Sequence, residues 1–125
     1  MKYKILFIAL AGCVGTLSRY WLAGAVQKLF GASFPWGTLA VNLTGCFLAG
    51  FFWALLEYRI QISGETRSII FIGFMGAFTT FSAFMLETSE LARNSEWLKM
   101  CANLFLQNGL GFAALFTGIV TGRLV

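Results

Sequence analysis

Gly73-Phe-Met-Gly76-Ala-Phe-Thr79-Thr80-Phe81-Ser82-Ala-Phe84-Met-Leu-Glu87 is apolar enough to lie in a bilayer, yet it crowds two glycines, two threonines, a serine and four phenylalanines where plain aliphatic residues would suffice. Lipid gives such a composition no advantage. Backbone that releases its helical hydrogen bonds at membrane depth must be buried in protein or line a polar cavity. The stretch therefore predicts a broken helix near residues 76–80 whose break forms the working site, with the rest of the chain as its scaffold.

The bulk properties place that stretch in a membrane. The chain has 125 residues, 58% hydrophobic and 11% charged, with a mean hydropathy of +0.79. A water-soluble domain of this size needs far more charged surface. The formal charge of +4 comes from nine Lys and Arg spread along the chain. No arm or stripe gathers them, which argues against a nucleic-acid partner. Cys13, Cys46 and Cys101 stand in apolar surroundings without metal-ligand spacing, and there is no His; they read as small packing residues. Leu10-Ala11-Gly12-Cys13 looks like a bacterial lipoprotein processing site. The run after Lys4 is short for a signal core, however, and more membrane sequence follows, so residues 1–28 are read as structure.

Taken in order, the sequence predicts a single membrane domain, 1–125, of four helices at about 4–27, 38–56, 68–91 (broken near 76–80) and 100–121. Each is long enough, at roughly 1.5 Å per residue, to cross or nearly cross a hydrocarbon core about 30 Å thick. Pro35 and Trp36 introduce the second helix, and Trp97 marks a headgroup level before the fourth. Loop and terminal basic residues divide weakly: Lys2, Lys4, Arg59, Arg67 and Arg123 on one side, Lys28, Arg93 and Lys99 on the other. Such balance does not fix one orientation. A chain inserted both ways could form an antiparallel dimer, and four helices enclose little interior of their own. The expected fold is thus an all-α integral membrane protein, four helices per subunit, in an antiparallel dimer.

Several residues invite function, each beside a plainer use. Arg19 is either a snorkelling side chain, as its neighbours Tyr20 and Trp21 suggest, or a fixed positive charge at a vestibule or in the dimer core. Asn42, with Thr38 and Gly45 about one turn to either side, either satisfies a neighbouring helix or points an N–H into an anion pathway. Asn103 and Gln107 repeat a donor face at i, i+4, with Asn108 just off it. Phe78, Phe81 and Phe84 make an aromatic stripe that is packing in most helices, although ring edges can face an anion. Edges alone cannot offset dehydration, so real donors such as Ser82 and Asn42, with Thr80 beside them, must supplement them. Unwinding near Gly76 and Thr79 would also bare carbonyls able to hold Na+ at a symmetry axis. Glu87 and Glu90 read as closing a helix end near water or pairing with a base.

Together these residues resemble the fluoride channel family, small bacterial proteins also called CrcB or Fluc. The matching pieces are Gly12-Cys-Val-Gly15 with Arg19-Tyr20, Pro35-Trp-Gly37-Thr38 leading into Asn42, and the helix-three string from Gly73 to Phe84. The resemblance spans essentially the whole chain, and the helix-three string is its specific part. It implies a dual-topology antiparallel homodimer in the bacterial inner membrane with two fluoride pathways. Asn42, Phe81 and Phe84 would lie along each pathway, Ser82 in its polar lining, and Arg19 near an aqueous vestibule. Thr38, Thr80, Asn103 and Gln107 are further candidates for the lining. Main-chain oxygens of Gly76 and Thr79 would surround a central structural Na+. Two departures stand out. Ala77 takes the place of a common second glycine, and Ala83 that of a hydroxyl between the pathway phenylalanines. They leave room for a heterodimer in which a related subunit supplies missing groups.

The expected activity is passive, fluoride-selective export through the bilayer, with no bond made or broken. A proton-coupled small multidrug exporter would need a membrane-embedded carboxylate, which helix one lacks; a structural membrane protein without transport is the other rival.

Overall fold

The computed structural model describes residues 2–125, and they are helical apart from short turns and one interruption. Among the described residues, four stretches are long and apolar enough to cross a membrane: Lys4–Phe30, Trp36–Tyr58, Gly64–Arg93 and Trp97–Leu124. Helices suit such sequences because lipid offers backbone polar groups no partner, and a helix satisfies them internally.

Helix α1 (Lys4–Phe30) ends where Gly31 adopts a φ of 85°, a left-handed value that glycine tolerates and other residues rarely do. One side chain fixes the turn that follows. Gln27 Nε2 donates to the carbonyls of Gly31 at 2.5 Å and Phe34 at 2.9 Å, while its Oε1 accepts from Gly37 N–H at 3.0 Å. The start of helix α2 (Trp36–Tyr58) is thereby drawn against the end of α1.

The most extensive packing joins α2 to α6 (Trp97–Leu124). Glycines make it possible, since membrane helices associate through close backbone approach rather than through hydrophobic exclusion. A Cβ on Gly118 would lie 2.1 Å from Phe47 O, and one on Gly50 would lie 2.2 Å from Leu115 O. Arg59 Nη2 donates to Arg123 O at 3.0 Å and Arg123 Nη2 to Tyr58 Oη at 3.2 Å, tying the same two helices at their ends.

The third crossing is built from pieces. Helix α3 (Gly64–Ser68), capped by Ser63 Oγ accepting from Thr66 N–H at 3.2 Å, runs into a π-helical segment, Ile69–Met75. There the backbone register widens, and Gly76 N–H reaches the carbonyl of Phe71, five residues back. Helix α1 presses on this segment: a Cβ on Gly15 would sit 2.5 Å from Phe74 O, and one on Gly73 would sit 3.0 Å from Ile8 O. After the short helix α4 (Gly76–Phe78) the chain becomes extended at Thr79 (φ −82°, ψ 159°) and Thr80 (φ −148°, ψ 117°). Helix α5 (Phe81–Arg93) then begins, with Thr80 Oγ1 as its N-cap accepting from Ala83 N–H at 3.3 Å. The interruption needs no left-handed residue, because Ser95 and Gly31 carry the positive φ values recorded among the described residues. Ala77 therefore does not obstruct it.

Candidate functional site

The interruption is held open by one side chain. Asn42, from the second turn of α2, accepts Thr80 N–H on Oδ1 at 2.9 Å and donates from Nδ2 to Thr80 O at 3.0 Å. The same Nδ2 donates to Gln107 Oε1 on α6 at 3.0 Å. The N–H and the carbonyl of one extended residue are thus both paired by a side-chain amide that mimics a neighbouring strand. Gly45, one turn on from Asn42, gives Thr79 room to stand there.

Pairing at Thr80 changes what the preceding turn presents. In a continuous helix Thr80 N–H would reach Gly76 O and Ala83 N–H would reach Thr79 O. Instead the first is taken by Asn42 and the second by Thr80 Oγ1. The carbonyls of Gly76 and Thr79 thus have their ordinary helical donors engaged elsewhere. Thr79 itself is anchored, with Oγ1 donating to Met75 O at 3.0 Å.

Two grooves flank the interruption, and Thr80 borders both. The larger, about 720 Å³, lies between α1, α2 and α5 and is lined by Thr16, Arg19, Thr38, Ser82 and Glu87 among others. Within it Thr38 Oγ1 donates to Glu87 Oε1 at 2.6 Å, while Glu87 Oε2 is buried without a partner. Arg19 is half-buried, and Ser82 is exposed with its Oγ 3.5 Å from Thr80 Oγ1. The smaller groove, about 430 Å³, is lined by Asn42, Phe71, Phe81, Phe84 and Gln107, together with Gly76 and Thr79 at its edge. Phe84 is 4% exposed and Phe81 is 72% exposed; their rings meet edge to face at 77°, centroids 5.8 Å apart.

The residues singled out in the sequence therefore separate into two sets, Arg19, Thr38 and Ser82 on one side of Thr80, and Asn42, Phe81, Phe84, Gln107, Gly76 and Thr79 on the other. Asn103 borders neither groove. It is fully buried, donates from Nδ2 to Thr88 Oγ1 at 2.9 Å, and Thr88 Oγ1 donates on to Phe84 O at 2.6 Å. Sequence reading missed Thr88 in this chain, Gln27 at the α1–α2 turn and the pairing of Glu87 with Thr38. A polar side chain within an apolar stretch of sequence was the available signal for each.

A family model described as CrcB-like protein, Camphor Resistance (CrcB), matches residues 6–119. The chain belongs to the CrcB family. A relative from Desulforapulum autotrophicum is 60% identical over 125 residues, all of both chains. One from Nitrosococcus oceani is 54% identical, again over the full length of both, and one from Solidesulfovibrio magneticus is 50% identical over the same span. Each bears the description fluoride-specific ion channel, a transport protein and not an enzyme. Four crossing-length helices and this membership make the CrcB chain a multi-pass membrane protein.

Proposed function

We propose that this CrcB chain is a fluoride-selective ion channel of the bacterial inner membrane, working as an antiparallel homodimer and releasing cytoplasmic fluoride passively. The observation that carries this reading is the Thr79–Thr80 interruption, clasped by Asn42 and bordered by two grooves, one lined with Arg19, Thr38 and Ser82 and the other with Gln107 and the rings of Phe81 and Phe84. Relatives of the same length that are named fluoride-specific ion channels support it.

Fluoride holds its water tightly, so a pathway must replace hydration with several weak donors and none that traps the ion. Arg19 raises the anion's local concentration in the larger groove. Ser82 and Thr80 supply hydroxyls, and the ring edges of Phe81 and Phe84 supply the positive rim of their quadrupoles. The N-terminus of α5, beginning beside them, adds the partial positive charge of its backbone amides. Phe81, exposed in one subunit, gains its surroundings from the second. Fluoride that enters a cell as HF ionises in the more alkaline cytoplasm and leaves down its gradient, with no bond chemistry required.

The carbonyls of Gly76 and Thr79 suit a hard cation such as Na+, since they are neutral oxygens whose ordinary helical donors lie elsewhere. One subunit supplies two of them, and an inverted copy supplies the matching pair across the symmetry axis. When bound, the ion would coordinate the lone pairs of those neutral oxygens and so join the subunits.

Fluoride efflux from liposomes containing the purified protein tests the function. Rapid fluoride release, with chloride release at the level of protein-free liposomes, is expected. Equal passage of both anions, or none from a folded dimer, would contradict it.

A further inference from the structure

Where α2 and α6 both end, three arginines crowd one rim of the bundle, and the structure balances them unequally. Arg67 is answered twice, by Glu57 Oε2 at 3.1 Å and by the Trp53 ring, whose centroid lies 5.4 Å from its guanidinium carbon. Arg59 and Arg123 receive no carboxylate: among the described residues the ion pairs recorded are Arg67–Glu57 and Lys99–Glu96. Arg59 Nη2 donates to the backbone carbonyl of Arg123 at 3.0 Å. Arg123 Nη2 donates to Tyr58 Oη at 3.2 Å, with its guanidinium carbon 4.9 Å from that ring's centroid. Both acceptors are neutral oxygens. Two like charges are thus held on adjacent helix ends, exposed, with most of their N–H donors unspent. Beside a low-dielectric bilayer such a pair is costly unless an anion joins it.

We infer that Arg59 and Arg123 form a binding site for the phosphate of an anionic phospholipid. A guanidinium presents a planar fork of donors that matches two phosphate oxygens. Tyr58 and Trp53, on the last two turns of α2, are 59% and 53% exposed, and rings of these types settle at the headgroup level. They lie alongside the glycerol and the first acyl carbons of a lipid so placed. One guanidinium is stacked on Tyr58 and the other is fixed to a helix-end carbonyl, so little ordering remains to be done on binding. Lys2 and Lys4 begin α1 on the same side of the membrane, and the summed charge favours an anionic headgroup over a zwitterionic one. In the antiparallel dimer proposed above, the two copies of the site face opposite leaflets.

Purified full-length protein in dodecylmaltoside, titrated with dioleoylphosphatidylglycerol, dioleoylphosphatidylcholine or inorganic phosphate, tests the site by native mass spectrometry and thermal unfolding. Phosphatidylglycerol is expected to stay bound and to raise the unfolding midpoint. Phosphatidylcholine, the same phosphate under a compensating cation, should bind at least about tenfold more weakly. Equal binding of the two lipids would overturn the inference. So would a midpoint raised as much by inorganic phosphate, which would make this a site for free anions. Arg123→Gln deletes one charge but keeps the carbonyl that Arg59 caps. Phosphatidylglycerol affinity should then fall about fivefold, the scale of one basic residue at an anionic surface, whereas Lys28→Gln at the opposite end should leave it unchanged. No loss in Arg123→Gln, or an equal loss in both variants, would mean diffuse attraction and overturn the site. If Arg123→Gln does not fold, wild-type protein decides. Phenylglyoxal, followed by peptide mass, should label Arg59 and Arg123 more slowly when phosphatidylglycerol is present and label the exposed Arg93 at an unchanged rate. Labelling of Arg59 and Arg123 that ignores the lipid overturns the inference.

Discussion

Gly45 and Thr79 interlock: a Cβ added at Gly45 would lie 2.1 Å from Thr79 Cγ2. Thr79 cannot swing away freely, because its Oγ1 is tied to Met75 O at 3.0 Å and its own N–H reaches the same carbonyl at 3.1 Å. Gly45→Ala is expected to destabilise the protein by about 1–3 kcal/mol and to cut fluoride flux. Adding Thr79→Ser, which keeps the hydroxyl and deletes the methyl, should restore both. Thermal unfolding in detergent and liposome efflux check the pair; a double variant no better than the single would show that Gly45 acts elsewhere.

Gly118 is a different case, because what its Cβ would strike is backbone, Phe47 O at 2.1 Å. No rotamer change relieves that contact. Gly118→Ala should separate α2 from α6 and lower the yield of folded protein, with a cost of at least about 1–3 kcal/mol. Gly109→Ala, where nothing lies within 4 Å of the added carbon, is expected to leave the subunit's unfolding temperature unchanged or slightly raised.

The buried chain from Asn103 through Thr88 to Phe84 O makes an asymmetric prediction. Asn103→Leu removes one hydrogen bond but also removes an oxygen that already lacks a partner, so the net change should stay within about 1 kcal/mol. Thr88→Val leaves the Asn103 amide with neither end paired and should cost about 1–3 kcal/mol. Equal unfolding midpoints for the two variants would contradict this account.

The role proposed for Arg19 is that of a field, and fields are screened by salt. Arg19→Gln is expected to slow fluoride entry several-fold near 10 mM ionic strength, where the Debye length is about 30 Å, and far less near 1 M, where it is about 3 Å. A deficit that is the same at both salt concentrations would assign Arg19 a local contact.

Replacing Na+ with N-methylglucamine removes the cation proposed for the Gly76 and Thr79 carbonyls. Dimers should then dissociate or melt at lower temperature, and the shift should reverse when Na+ is returned. Binding to the folded dimer alone is what links ion concentration to stability. Indifference to the exchange would argue against the ion.

Length and hydropathy alone determined that four segments can cross a bilayer, since span and apolarity are local, additive properties of a sequence. Crowding of Gly76, Thr79 and Thr80 in an oily stretch likewise placed the interruption, because lipid provides no reason for such residues. The π-helical turn at Ile69–Met75 left no comparable mark: a shift in hydrogen-bond register changes no residue, and it is found where α1 presses through Gly15 onto Phe74. Nor could spacing reveal how the donors are allocated. Asn42, Thr38, Gln107 and Asn103 were all recognisable as polar groups, but whether a hydrogen bond is free or engaged depends on what lies across the packing from it. Only the tertiary structure brought Thr80 to Asn42, Glu87 to Thr38 and Thr88 to Asn103, because those partners are separated along the chain and meet only when the helices pack.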